Sequence, residues 1–169
     1  YAIDAVNGKQ IWKAPLGDAT YTSPSVAPGT AVIGAENRLV LAFDTKTGKE
    51  ARRFDTGDVV TASPLIHGDR VFVCSERGFV VALERLSGKE VWRYQGSGPC
   101  TLEPVPLMTQ LVVLTGRELV LLDQQSGKKI ASNGDILTGW QGFGKETVVH
   151  NLCILPESIV ISQRNMMAY

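Results

Sequence analysis

The stretch YAIDAVNGKQIW (residues 1–12) recurs in altered form as LAFDTKTGKEAR (41–52), VALERLSGKEVW (81–92) and VLLDQQSGKKIA (120–131). The four copies place glycine at Gly8, Gly48, Gly88 and Gly127, spaced by 40, 40 and 39 residues. An acid stands four positions earlier each time, as Asp4, Asp44, Glu84 and Asp123. A second mark keeps the same frame: Pro24, Pro64 and Pro104 each follow the acid by 20 residues. Two independent marks in one phase define a tandem repeat, with units of approximately 1–40, 41–80, 81–119 and 120–167.

Inside a unit, short apolar runs alternate with turn residues, and no window holds the period of a helix. The second repeat predicts strands near Ser63 to Ile66, Arg70 to Cys74, Phe79 to Leu83 and Glu90 to Tyr94. His67-Gly68-Asp69, Glu76-Arg77-Gly78 and the turn from Glu84 to Gly88 join them. In that last turn the acid is expected to accept hydrogen bonds from the turn's own amides. The glycine there takes a positive φ without steric penalty. The role is structural rather than catalytic. The fold class that follows is all-β: four-stranded antiparallel units of about 40 residues are the blades of a β-propeller, and each blade buries its faces against its neighbours.

Composition narrows the function classes. With 17 Lys+Arg against 17 Asp+Glu the formal charge is zero, so the chain lacks the basic footprint of a nucleic-acid binder. No aliphatic run exceeds the length of Leu119 to Leu122, far below the roughly 18 apolar residues of a membrane span, so no transmembrane segment is expected. Cys74, Cys100 and Cys153 stand far apart, with no metal-knuckle spacing and no evident disulfide framework.

The block A-x-D-x-x-x-G-K-x-x-W, seen as Ala2, Asp4, Gly8, Lys9 and Trp12, resembles the repeat of the PQQ-like (quinoprotein-type) β-propeller family. The resemblance runs over nearly the whole chain, and it extends most closely to the non-catalytic, BamB-like members. It implies that Trp12 and Trp92 end outer strands and dock on the neighbouring blade. Arg52 and Ala131 stand where tryptophan is expected, so docking there must be made differently. The family closes its rings with seven or eight blades, and the chain supplies about four. The expectation is a partial propeller belonging to a larger protein. The rival is a four-bladed ring closed by pairing the first strands with the last.

Quinoprotein dehydrogenases of this family hold PQQ beside a metal ion with an acidic base and, in many members, adjacent cysteines, and none of these is visible in the sequence. Glu36, Glu76, Glu103 and Glu118 are candidates to converge at one mouth of a ring, weighed against ordinary solvated loop acids. His67 and His150 read as loop residues, Cys74 as a small buried hydrophobe, and Cys100, beside Pro99, as an accessible thiol. The fourth unit is the irregular one: Leu121 to Ala168 takes 47 residues where Ala2 to Ala42 takes 40. The extra residues fall in the glycine-rich stretch 133–145, whose Trp140 and Phe143 are candidates for contact with a partner. Alternatively, Trp140 packs on the next blade in place of the tryptophan missing at Ala131.

Two functions follow. The first is a non-catalytic scaffold or interaction platform with protein partners and no cofactor, whose family resemblance favours a periplasmic or extracytoplasmic place. Open blade edges add a route to self-association. The second is part of a PQQ- and calcium-dependent alcohol or sugar dehydrogenase whose cofactor residues lie outside the chain.

Overall fold

The computed structural model describes the backbone of residues 1–133, 147–155 and 158–165 and the side chains of residues 1–132. Among these residues every element is a strand. β1 (Ala2–Ile3) and β2 (Gln10–Trp12) form a two-stranded sheet. Three four-stranded sheets follow in chain order. The first holds β3 (Ser25–Ala27), β4 (Thr30–Gly34), β5 (Leu39–Asp44) and β6 (Glu50–Asp55). The second holds β7 (Leu65–His67), β8 (Arg70–Cys74), β9 (Phe79–Glu84) and β10 (Glu90–Gln95). The third holds β11 (Val105–Leu107), β12 (Gln110–Thr115), β13 (Glu118–Asp123) and β14 (Lys129–Asn133). β15 (Thr147–Leu155) and β16 (Ser158–Asn165) pair in a last two-stranded sheet.

Each four-stranded sheet is an antiparallel meander, the blade of a β-propeller. The strands lie within two residues of those expected from the second repeat. The sheets are out of phase with the sequence units, because a period fixes the length of a repeat and not its starting point; residues 40 and 41, for instance, are neighbours inside β5. β1–β2 and β15–β16 remain in separate sheets, so among the described residues the first strands do not pair with the last. Among the described residues no closed four-bladed ring is formed.

The core lies between blades. On the middle blade, Phe72, Cys74, Val80 and Ala82 pack toward Leu111, Val113, Val120 and Leu122 of the third blade. The alternate residues Val71, Val73, Val81 and Leu83 pack toward Val32 and Val40 of the first. A strand side chain flips face at every residue, so a blade covered on both faces reads as a continuous apolar run. That explains RVFVC and FVVALE.

The four repeated turns share one backbone solution. The amide of each glycine donates to the carbonyl of the acid four residues before it, at 2.8 to 2.9 Å, and each glycine has φ between 68° and 73°. A register shift follows each turn, so that Trp12, Arg52, Trp92 and Ala131 oppose Ala2, Ala42, Ala82 and Leu121. The bulge aims one repeat position at the neighbouring blade.

Candidate functional site

The residues with the most specific geometry sit at the blade boundaries. Trp92 lies inside β10 rather than at its end, which corrects the expectation that it ends an outer strand; it is 8% exposed and lies over Gly127 of the third blade's turn. A Cβ added at Gly127 would come within 2.5 Å of the indole ring. The indole N–H donates to the Gln124 carbonyl at 3.0 Å, and the ring meets Phe72 with centroids 5.8 Å apart. Trp12 repeats the arrangement on the first blade, half-buried over Gly48 and donating to the Thr45 carbonyl at 2.9 Å. Burial of a large ring and satisfaction of its one donor come from the same contact.

Arg52 occupies the equivalent place over Gly88, where an added Cβ would meet the Arg52 Cδ at 3.6 Å, an ordinary contact. A cavity of about 20 Å³ remains there, bordered by Val32, Ala42, Val71, Leu83 and Arg85. The Nε atoms of Arg70 and Arg85 are buried without a hydrogen-bond partner. Ala131, the other departure, is exposed. Trp140, Phe143 and most of the stretch 133–145 lie outside the described residues.

The acids of the turns differ in reach. Asp4 accepts from the Val6 amide at 2.8 Å, Asp44 from the Thr47 amide and hydroxyl at 2.7 and 2.8 Å, and Asp123 from the Ser126 amide and hydroxyl at 2.8 and 2.6 Å. The hydroxyls of Thr47 and Ser126 hold Asp44 and Asp123 below the usual carboxylate range. Glu84 corrects the expectation that every acid binds turn amides. Its longer side chain bonds the Ser87 hydroxyl instead.

A polar fastening that the sequence reading missed joins the first and middle blades. Asp58, 4% exposed in the connector between them, accepts the Arg77 amide at 2.7 Å, and its carboxylate stands 3.7 Å from the Arg77 guanidinium. Burial pushes this carboxyl up, but the amides of Arg77 and Val59, the Ser75 hydroxyl and the Arg77 charge outweigh it, so the net shift is downward. Arg93 adds a donor to the Thr56 carbonyl at 2.9 Å and is held by Glu90 at 2.7 Å.

Among the described residues the candidate acids Glu36, Glu76, Glu103 and Glu118 do not gather into a metal site. Among the described residues no three His, Cys, Asp or Glu side chains stand close enough to hold a metal ion. Glu118 is bonded to Lys129 at 2.7 Å, which with the Ser132 and Ser97 hydroxyls draws its pKa down. Glu103 is raised by burial alone. His67 is exposed at the end of β7. Calcium takes six or more oxygens, and the described residues bring no such set together. Cys100 corrects the expectation of an accessible thiol: it is 0% exposed and shares a core with Cys74. The neighbouring Cys100 thiol and burial push Cys74 up, whereas Cys100 is drawn down beside the Cys74 thiol.

One open cavity, of about 460 Å³, lies between β1–β2 and the first complete blade. Ile3, Trp12, Val26, Ile33 and Phe43 line most of it, with Tyr1 and Thr45 as its polar members. No helix among the described residues is long and apolar enough to cross a membrane.

Residues 1–135 match the family model described as outer membrane protein assembly factor BamB. No curated protein matches the chain. Among solved structures, BamB from Moraxella catarrhalis superposes with a TM-score of 0.74 at 18% identity, covering 90% of this chain and 46% of its own. The quinohemoprotein alcohol dehydrogenase from Comamonas testosteroni gives 0.61 at 23% identity, over 68% of this chain and 21% of its own. A europium-containing methanol dehydrogenase gives 0.64 at 16%, over 73% and 26%. The chain thus spans about half the length of the first of these structures and about a quarter or less of the others.

Proposed function

We propose, because this chain belongs to the family described as outer membrane protein assembly factor BamB, that it works as a non-catalytic propeller scaffold presenting a rigid surface to a protein partner. The observation that carries the reading is the family match over residues 1–135. The same match supports an extracytoplasmic place and a part in outer-membrane protein assembly, the process the family description names. The boundary geometry is consistent with a scaffold: its specific contacts fasten one blade to the next. Function in such proteins sits on loops held by a rigid frame, and we assign partner contact to Trp140 and Phe143.

The test is deletion of the gene in its native host, with outer-membrane protein content measured and then restored by the intact gene. The reading expects content to fall and recover. Alcohol- or sugar-dependent dye reduction by the purified full-length protein supplied with PQQ and calcium would replace it with the dehydrogenase reading. Trp140→Ala is expected to weaken partner binding while the far-ultraviolet spectrum and melting temperature stay unchanged. Unchanged binding would remove the assignment to Trp140.

A further inference from the structure

We propose that Cys74 and Cys100 form a disulfide that ties the middle blade to the connector entering the third. Cys74 is the last residue of β8, and Cys100 lies between β10 and β11. Both are free cysteines of one buried cluster with Ala62, Phe72 and Val113. The backbones around them are locked side by side. The Cys100 amide donates to the Ser75 carbonyl at 3.1 Å, while Thr61 donates its amide to the Cys74 carbonyl at 3.3 Å and its hydroxyl to the Cys100 carbonyl at 2.5 Å. The Cys100 backbone therefore runs beside the residue that follows Cys74, and Thr61 bonds to both cysteine carbonyls.

The repeat supplies an internal control. One blade earlier the same two positions are Gly34 and Val60, and a Cβ added at Gly34 would lie 2.9 Å from the Val60 Cβ. This fold therefore aims the two positions at each other. At the first boundary glycine relieves the contact; at the second, two thiols fill it.

Bond formation is thiol–disulfide exchange with a small-molecule disulfide such as glutathione disulfide. A cysteine thiolate attacks the donor, releasing one donor thiol and leaving a mixed disulfide. The second cysteine then displaces the other donor thiol as the Cys74–Cys100 bond forms. Two electrons and two protons pass from the protein to the donor. The exchange takes place as the blades come together, before the core closes over the sulfurs.

The test uses the full-length protein carrying Cys153→Ser, refolded in oxidised and in reduced glutathione buffers, then unfolded and alkylated. The proposal expects no alkylation of Cys74 or Cys100 from the oxidising buffer, two alkylated thiols from the reducing one, and a linked proteolytic peptide. It also expects an oxidised melting temperature higher by roughly 5–10 °C. Cys100→Val, the residue the previous blade uses, should fold and lose the dependence on buffer. Two free thiols in protein that has folded in the oxidising buffer would overturn the proposal. A pair that links in vitro yet is reduced in protein drawn from cells upholds the bond, and it counts instead against the extracytoplasmic placement.

Discussion

The two faces of the middle blade are fastened by different chemistry. Toward the third blade the seam is aromatic and apolar: Trp92 covers Gly127, Phe72 backs the ring, and Cys74 meets Cys100. Toward the first blade the aliphatic seam is thinner. Arg52 replaces the tryptophan over Gly88, a small cavity is left, and Asp58 with Arg77 supplies a polar clasp. The contrast separates two duties of the turn glycine. All four turn glycines provide a positive φ, but Gly48 and Gly127 also provide the space in which an indole ring lies.

The largest expected effect is that of Trp92→Ala, which removes a buried ring and leaves the Gln124 carbonyl without its donor. Urea unfolding should show a loss of about 3–5 kcal/mol. Arg52→Ala, at the matching place, should lose about 1 kcal/mol or less, since a half-exposed side chain contributes mainly its stem. Comparable losses would erase the distinction between the two seams.

Next come the glycines. Gly127→Ala combines left-handed backbone strain with overlap of the Trp92 ring and should cost about 2–4 kcal/mol. Gly88→Ala carries the strain alone and should cost about 1–2 kcal/mol. Thermal melts of the two variants make the comparison.

The polar clasp is exposed by acid. Asp58 has its pKa lowered on folding, so the unfolded chain holds that proton more tightly. Its contribution is fully present above the ordinary carboxylate value of about 4 and is lost as pH falls through the depressed folded value. Asp58→Asn should cost about 1–3 kcal/mol at neutral pH and flatten the acid limb of the stability curve. The matching downstream residue is Gly98, which carries no charge. Hydrogen exchange at low pH should therefore rise first at the boundary between the first and middle blades. The smallest effect sharpens the comparison from the other side: Arg52→Trp should fill the cavity over Gly88 and raise stability by about 0.5–1 kcal/mol.

The repeat made most of the fold legible. Gly8, Gly48, Gly88 and Gly127 with their acids locate the turns, and the alternation of apolar runs locates the strands, because both signals are local in the chain. The docking of Trp12 and Trp92 follows from the family resemblance that the repeated block carries rather than from the period itself. What escaped depends on contacts between residues distant in sequence. Cys74 and Cys100 are 26 positions apart and became neighbours only through the packing of two blades. Asp58 reads as a connector acid until the hairpin at Arg77 folds against it. Glu84 differs from the other turn acids by one methylene, enough to shift its partner from backbone amides to the Ser87 hydroxyl.

The central claim is that the cost of a side chain at Gly127 comes largely from the indole lying above it. The direct measurement is a double-mutant cycle of Gly127→Ala and Trp92→Ala by urea unfolding. If the claim holds, Gly127→Ala in the Trp92→Ala background loses only the backbone strain, about 1–2 kcal/mol, matching Gly88→Ala in the native chain. A cost unchanged by removing the ring would mean that the two residues act independently, and that the indole does not set the strength of this boundary through the turn.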